Sequence, residues 1–289
     1  MASRRYAQLD VFASRPGTGN PLGVVLDAED LDTAAMQRLA AWLNLSETIF
    51  FLSPDRGADY RIRIFTPGSE LPFAGHPSVG AAWAALHYKL AQPRDGHLVQ
   101  QCDAGFLPVQ LTTEDARIAP FVRSPRGREL ARQAAPLPAG LEAVAGPGQW
   151  AALWHNGPAW WLIETASAAQ LRSFRPDFAA IAAWCNTTGA TGLAIFATET
   201  ADSHQLVVRA FCPGDAVNVP EDPVTGSANA VVAAWLHQQD RLPGRDNAYI
   251  ASQGRELGRD GLVSVRVDDE GEVWIGGQVQ HIIEGRLDW

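Results

Sequence analysis

Cysteine is scarce in this chain of 289 residues: three, Cys102, Cys185 and Cys212, far apart, in no Cys-x-x-Cys and no cysteine–histidine cluster. That pattern indicates neither a disulfide framework nor a zinc site, and no metal is expected. Basic charge is short as well, with 23 Lys+Arg against 32 Asp+Glu and a formal net charge of −9. Nucleic acid and anionic membranes both require a basic footprint, so neither is an expected partner. A small anionic metabolite stays open as a partner, because local donors can outweigh net charge. No long apolar segment follows the N-terminal Met1-Ala2-Ser3-Arg4-Arg5-Tyr6. No signal peptide or membrane span is read, which predicts a cytoplasmic protein. There is no P-loop and no Gly-x-Gly-x-x-Gly opening a helix after a strand, so no nucleotide cofactor is expected. The absence of a Gly-x-Ser-x-Gly elbow disfavours a serine nucleophile.

What the chain does contain is a repeat. Arg63-x-Phe65-x-Pro67-Gly68 through Pro77-x-x-Gly80-x-Ala82-x-Ala84 matches Arg209-x-Phe211-x-Pro213-Gly214 through Pro223-x-x-Gly226-x-Ala228-x-Ala230 at a constant offset of 146. Eight positions in this stretch are identical, where background composition gives about one or two. The length suits two domains. A proline- and arginine-rich stretch from Ala119 onward, near 115–135, reads as the crossover. The expected N-terminal domain is 1–120, completed by a C-terminal strand near 276–289, and the expected C-terminal domain is 121–275.

Local patterning agrees. Leu9 to Phe12, Val24 to Leu26, Thr48 to Leu52 and Tyr60 to Phe65 read as strands. Asp32 caps a helix with Met36, Leu39, Ala40 and Leu43 inward, and Asp177 caps one with Phe178, Ile181, Ala182 and Cys185 inward. Matching Ala41-Trp42-Leu43-Asn44 to Ala183-Trp184-Cys185-Asn186 puts these helices 142 residues apart, which implies about four inserted residues at Thr187-Thr188-Gly189-Ala190. Each Pro-x-x-Gly-x-Ala-x-Ala opens a helix of small and apolar residues, suited to the centre of a domain. Two such helix starts meeting at a domain interface would make a carboxylate pocket.

The copies differ where chemistry is expected. In the 146 offset His76 stands opposite Asp222, and Glu47 opposite Leu193. A lone histidine reads as structural and Asp222 as a helix cap, yet the paired position points to function for both. Glu47 is either an exposed strand-edge charge or the asymmetry of a shared site. Turned into an apolar interface it would hold its proton more tightly and exchange it with carbon near neutral pH. Thr225, Gly226 and Ser227 offer hydroxyl or backbone donors or simply begin a helix. Gly75 and Gly226 permit close backbone approach or only a turn. The ten tryptophans read as core and interface filling.

Taken in order, Thr18-Gly19-Asn20-Pro21, Asn44-Leu45-Ser46-Glu47-Thr48, Arg63-Ile64-Phe65-Thr66-Pro67, Glu70-Leu71-Pro72-Phe73-Ala74-Gly75-His76-Pro77, Glu221-Asp222-Pro223-x-Thr225-Gly226-Ser227-Ala228 and Gln253-Gly254-x-x-x-Gly258-Arg259 resemble the PhzF (phenazine-biosynthesis-like) family. The resemblance implies an α+β, diaminopimelate-epimerase-like fold: two pseudo-symmetric domains, each a β-barrel-like sheet wrapped around a central helix. It implies a homodimeric isomerase that transfers a proton at carbon without a cofactor. Glu47, His76 and Asp222 are the implied catalytic residues, with Glu47 as acid/base. Asn20, Ser46, Gly75, Thr225, Gly226 and Ser227 are the implied substrate contacts. Epimerases of related fold carry a cysteine at each helix start; this chain has neither, which favours a one-base isomerisation. An epimerase or racemase using Glu47 and Asp222, or a metabolite-binding module without turnover, are the rival readings.

Overall fold

The computed structural model describes residues 2–114, 117–133, 137, 140–142, 144–145, 150–201, 203–214 and 219–289. It divides into two compact units, Met1–Arg123 with Gly276–Trp289, and Ser124–Ile275. The first unit runs β1 (Ser3–Val11), β2 (Asn20–Val25), α1 (Thr33–Leu43), β3 (Glu47–Leu52), β4 (Tyr60–Phe65), β5 (Glu70–Leu71), α2 (Gly75–His87), β6 (His97–Cys102), β7 (Gly105–Glu114) and β8 (Arg117–Arg123). The second runs β9 (Arg128–Gln133), β10 (Ala151–His155), β11 (Ala159–Glu164), α3 (Ala168–Ser173), α4 (Phe178–Thr188), β12 (Gly192–Thr198), β13 (Leu206–Cys212), β14 (Val219–Asp222), α5 (Gly226–Gln238), β15 (Ala248–Gln253), β16 (Gly261–Val267) and β17 (Val273–Gly276). The last strand, β18 (Val279–Asp288), belongs to the first unit. Strands dominate this mixed α+β chain, and no helix among the described residues is long and apolar enough to cross a membrane.

In the first unit β18 lies antiparallel to β1 along its whole length, from Ser3↔Asp288 to Val11↔Val279. On its other side β1 pairs antiparallel with β2, and β2 runs parallel to β3. Helix α2 packs against β1, β2, β3, β4, β6, β8 and β18, and all but three of its residues are buried. Small side chains are what let strands surround it. A Cβ added at Gly80 would stand 2.3 Å from Leu22 Cδ2 and 3.0 Å from Val11 Cγ2. In the second unit α5 is buried in the same manner and packs on β11 and β16.

Much of the 115–135 segment expected as crossover is strand, in β8 and β9, and part of the proline-rich stretch beyond lies outside the described residues. Helices α1 and α4 each span 11 residues. The Asp32 carboxylate accepts from Ala35 N at 2.7 Å and the Asp177 carboxylate from Ala180 N at 3.0 Å. Each helix ends in a left-handed residue, Asn44 or Gly189. Both caps are therefore 145 residues apart, as are the starts of β3 and β12, and the expected insertion at Thr187–Ala190 does not exist. Thr187 and Thr188 complete α4. Buried Met36, Leu39 and Ala40 correspond to buried Ile181, Trp184 and Cys185. Phe178, expected inside, is 38% exposed, Ala182 and Leu43 are half-buried, and Trp184 takes the interior place, stacked on Trp161. Trp42 is not its counterpart: it is 73% exposed.

The 146-residue offset does not hold from the arginines to the helix starts. Arg63 on β4 forks onto the Glu70 carboxylate seven residues on, and Arg209 on β13 onto Glu221 twelve residues on. Five residues after each glutamate a helix opens, at Gly75 and at Gly226. The second stretch thus carries five additional residues between arginine and carboxylate, and Pro72-x-x-Gly75 matches Pro223-x-x-Gly226 in sequence. Ser227, not Asp222, occupies the place of His76. By the 145 offset the place of Glu47 falls to Gly192 rather than Leu193. A side chain there would meet Phe211 O at 2.4 Å and the Trp160 ring at 2.7 Å.

Candidate functional site

The first unit brings together five of the residues singled out from sequence. Glu47 opens β3 opposite Leu22 of β2, and Ser46 immediately precedes it. Asn20, the first residue of β2, is 1% exposed. Gly75 and His76 form the first turn of α2, whose N-cap Ala74 provides no side-chain cap. Pro77 is tolerated in this turn because its missing N–H would have had no intrahelical partner. Wrapped by strands, this turn carries the His76 ring into the interior, where it is 4% exposed.

His76 Nδ1 stands 3.1 Å from Glu47 Oε2, the glutamate side chain being 17% exposed. Burial lowers the imidazole to about 3, although a hydrogen bond to the Pro21 backbone carbonyl opposes the shift. The ring is therefore neutral near pH 7, and its contact with Glu47 is not an ion pair. His76 Nε2 is buried with no hydrogen-bond partner among the described residues. Carried on Nδ1, the ring proton faces Glu47 and leaves Nε2 as the acceptor.

In the second unit Asp222, the last residue of β14, stands three residues before the N-cap Thr225 rather than at the cap itself. Thr225 Oγ1 donates to Asp222 Oδ2 at 2.7 Å and accepts from Gln253 Nε2 at 3.0 Å. The Thr225 backbone N–H donates to Gln253 Oε1 at 3.0 Å. Both donors of this residue are thus engaged within the protein, and it orients Asp222. Gln253, 1% exposed, also donates to the Asp222 carbonyl at 2.9 Å and accepts from Asn229 Nδ2 at 2.9 Å. Such a fully bonded amide holds the turn before α5 in one geometry.

Ser227 is arranged differently. Its Oγ accepts from Trp160 Nε1 at 3.2 Å, while its carbonyl accepts from Asn156 Nδ2 at 3.0 Å. With indole filling one lone pair, the hydroxyl proton is the group Ser227 has to offer. Gly226, the first residue of α5, is buried beside it.

Sequence reasoning did not assign roles to Pro21, Gln253, Trp160 or Asn156. Pro21 and Gln253 stood inside motifs already noted, but a backbone acceptor and a buried amide carry no chemical signature of their own. Among the described residues no group of three or more His, Cys, Asp or Glu is placed to hold a metal.

The phenazine biosynthesis-like protein model matches residues 9–285. The chain is 31% identical to antisense-enhancing sequence 1 of Schizosaccharomyces pombe, over 99% of both chains. It is 34% identical to the trans-2,3-dihydro-3-hydroxyanthranilate isomerase of Pseudomonas aeruginosa, over 98% of both. The crystal structure of a Bacillus anthracis phenazine biosynthesis protein of the PhzF family superposes with a TM-score of 0.85 at 24% identity, covering both chains entirely. Relatives named as isomerases support an isomerase here. With the family model spanning nearly all of it and a curated isomerase matching end to end, the chain belongs to the phenazine biosynthesis-like (PhzC-PhzF) family.

Proposed function

We propose that this protein is a cofactor-independent isomerase that moves a proton between carbons of a small cyclic or unsaturated carboxylic or amino acid, with Glu47 as general acid and base. The observation that carries the reading is the contact between Glu47 and a neutral, buried His76. A carboxylate beside an uncharged imidazole can take a proton from carbon without first surrendering an ion pair. Glu47 would remove the proton from one carbon, the electron pair would shift the double bond, and the same carboxyl would return the proton further along. His76 Nε2, which needs a donor, suits a substrate hydroxyl or ammonium group. Ser227 and the backbone at Gly75 and Gly226 supply donors to oxygens, and Asn20, Ser46, Thr225 and Asp222 hold the surrounding geometry. Charge developing on a carboxylate-bearing carbon is stabilised by such donors.

The same proposal reads the two units as copies of one barrel-like unit and the active form as a homodimer. The first part is supported by the matched caps and by the two Arg–Glu forks. The acid named in the P. aeruginosa relative is the first substrate to test. Incubated in D2O, it should acquire carbon-bound deuterium at a new position, and Glu47→Gln should slow this by at least about a hundredfold with the fold intact. Undiminished turnover in that variant would sink the proposal. Inversion of configuration without migration of the double bond would favour an epimerase instead.

A further inference from the structure

We propose that Asp10 is a positioning residue for this reaction: its buried carboxylate clamps the turn that delivers Asn20 and Pro21, and through the Pro21 carbonyl it sets the orientation of His76. The proposal rests on the roles given above to His76 and Glu47.

Asp10 lies at the end of β1 and is 3% exposed. Its Oδ2 accepts from the backbone N–H of Gly17 at 2.7 Å and of Gly19 at 3.2 Å. Two amides converging on one oxygen make the concavity that a backbone forms where a left-handed residue interrupts it, and Gly17, with φ 85°, supplies that residue. Between them Thr18 folds back, its N–H and hydroxyl both donating to the Arg15 carbonyl. The other limb is tied by Gln280, whose Nε2 donates to the carbonyls of Ala13 and Ser14. Any side chain at position 19 would stand 2.1 Å from Val11 O, so the chain is held tight against β1 as it leaves the turn.

From Gly19 the chain passes straight into Asn20 and Pro21, which face Val11 and Asp10 across the β1–β2 ladder. Pro21 carries the carbonyl that binds the His76 ring. One carboxylate therefore fixes the turn, the strand start and, one bond further, the imidazole edge that meets Glu47. Asp10 Oδ1 is buried with no hydrogen-bond partner among the described residues.

The test compares Asp10→Ala and Asp10→Asn with the parent protein by three readouts: melting temperature, kcat and KM for deuterium wash-in to the acid above, and the nitrogen-15 signals of the His76 ring. Asp10→Ala is expected to lower kcat about tenfold or more with KM changed less than about threefold, and to disturb the Nδ1–H pattern of His76 in a protein that stays folded. Asp10→Asn, which keeps one acceptor oxygen for the two amides, should fall between. Folded Asp10→Ala with parental kcat and an unchanged His76 pattern overturns the proposal. If Asp10→Ala does not fold, Asp10→Asn decides: a drop in kcat of about threefold at a held melting temperature supports it, and parental kcat with an unchanged ring pattern overturns it. If the parent protein turns over no substrate, the His76 ring pattern alone decides, so failure of the proposed reaction is not failure of this link.

Discussion

His76 Nδ1 and Glu47 Oε2 lie 3.1 Å apart, and the imidazole is neutral because burial takes it down to about 3. The contact joins the first residue of β3 to the first turn of α2, two elements separated by a strand hairpin in sequence.

Acid should weaken the fold through His76. Its folded pKa lies below the ordinary 6.5, so above pH 6.5 both folded and unfolded rings are neutral and the group is indifferent to pH. As pH falls from 6.5 toward 3, the unfolded chain takes up a proton that the folded one refuses, and stability is lost at up to about 1.4 kcal/mol per pH unit. Urea titrations at several pH values should show this slope in the parent protein and its loss in His76→Asn. The nitrogen-15 spectrum should still report a neutral His76 ring at pH 5.

Ser227→Ala should have two separable effects. Trp160 is 2% exposed and loses the acceptor for its Nε1–H, costing about 1–3 kcal/mol. The substrate loses a hydroxyl donor, so kcat/KM should fall. Ser227→Thr, which keeps the hydroxyl, should recover the tryptophan fluorescence and part of kcat/KM; equal loss in both variants would argue against the hydroxyl.

Gln253→Glu changes one atom in the cluster before α5. The acceptor for Thr225 N and Asn229 Nδ2 remains, while the donors to the Asp222 carbonyl and Thr225 Oγ1 are lost. A carboxylate then sits beside a carbonyl, and destabilisation of about 2–4 kcal/mol is expected, larger at pH 8 than at pH 5. Chemical denaturation at the two pH values checks both size and sign.

Trp42→Ala and Trp184→Ala separate the two helix registers. Trp42 is 73% exposed and touches Trp289 at a ring separation of 6.4 Å, so its loss should cost less than about 1 kcal/mol. Trp184 is 8% exposed and stacks on Trp161 at 4.5 Å, so its loss should cost about 3–5 kcal/mol. Equal effects on the denaturation midpoint would contradict the 145-residue correspondence.

Ala-Trp-x-Asn and Pro-x-x-Gly are short patterns of common residues, and each can be matched at more than one offset. The caps were the better guide, because Asp32 and Asp177 each satisfy helix N–H groups at a fixed spacing and so determine helical phase. Once phase is set by the cap, Trp184 turns inward and Trp42 outward. The five residues that displace Ser227 into the place of His76 become visible only when Arg209 is seen to reach Glu221.

The amino-acid sequence by itself determined both helix caps, the strand around Glu47 and the set of motifs that mark the family, since each rests on residues near one another in the chain. Tertiary structure decided the rest. That His76 is uncharged follows from the strands wrapped around α2, that Ser227 has a proton to give follows from Trp160 67 residues away, and that the Thr225 backbone N–H is occupied follows from Gln253 28 residues away. Protonation and donor capacity depend on burial and on partners distant in sequence, and these exist only when the chain is folded.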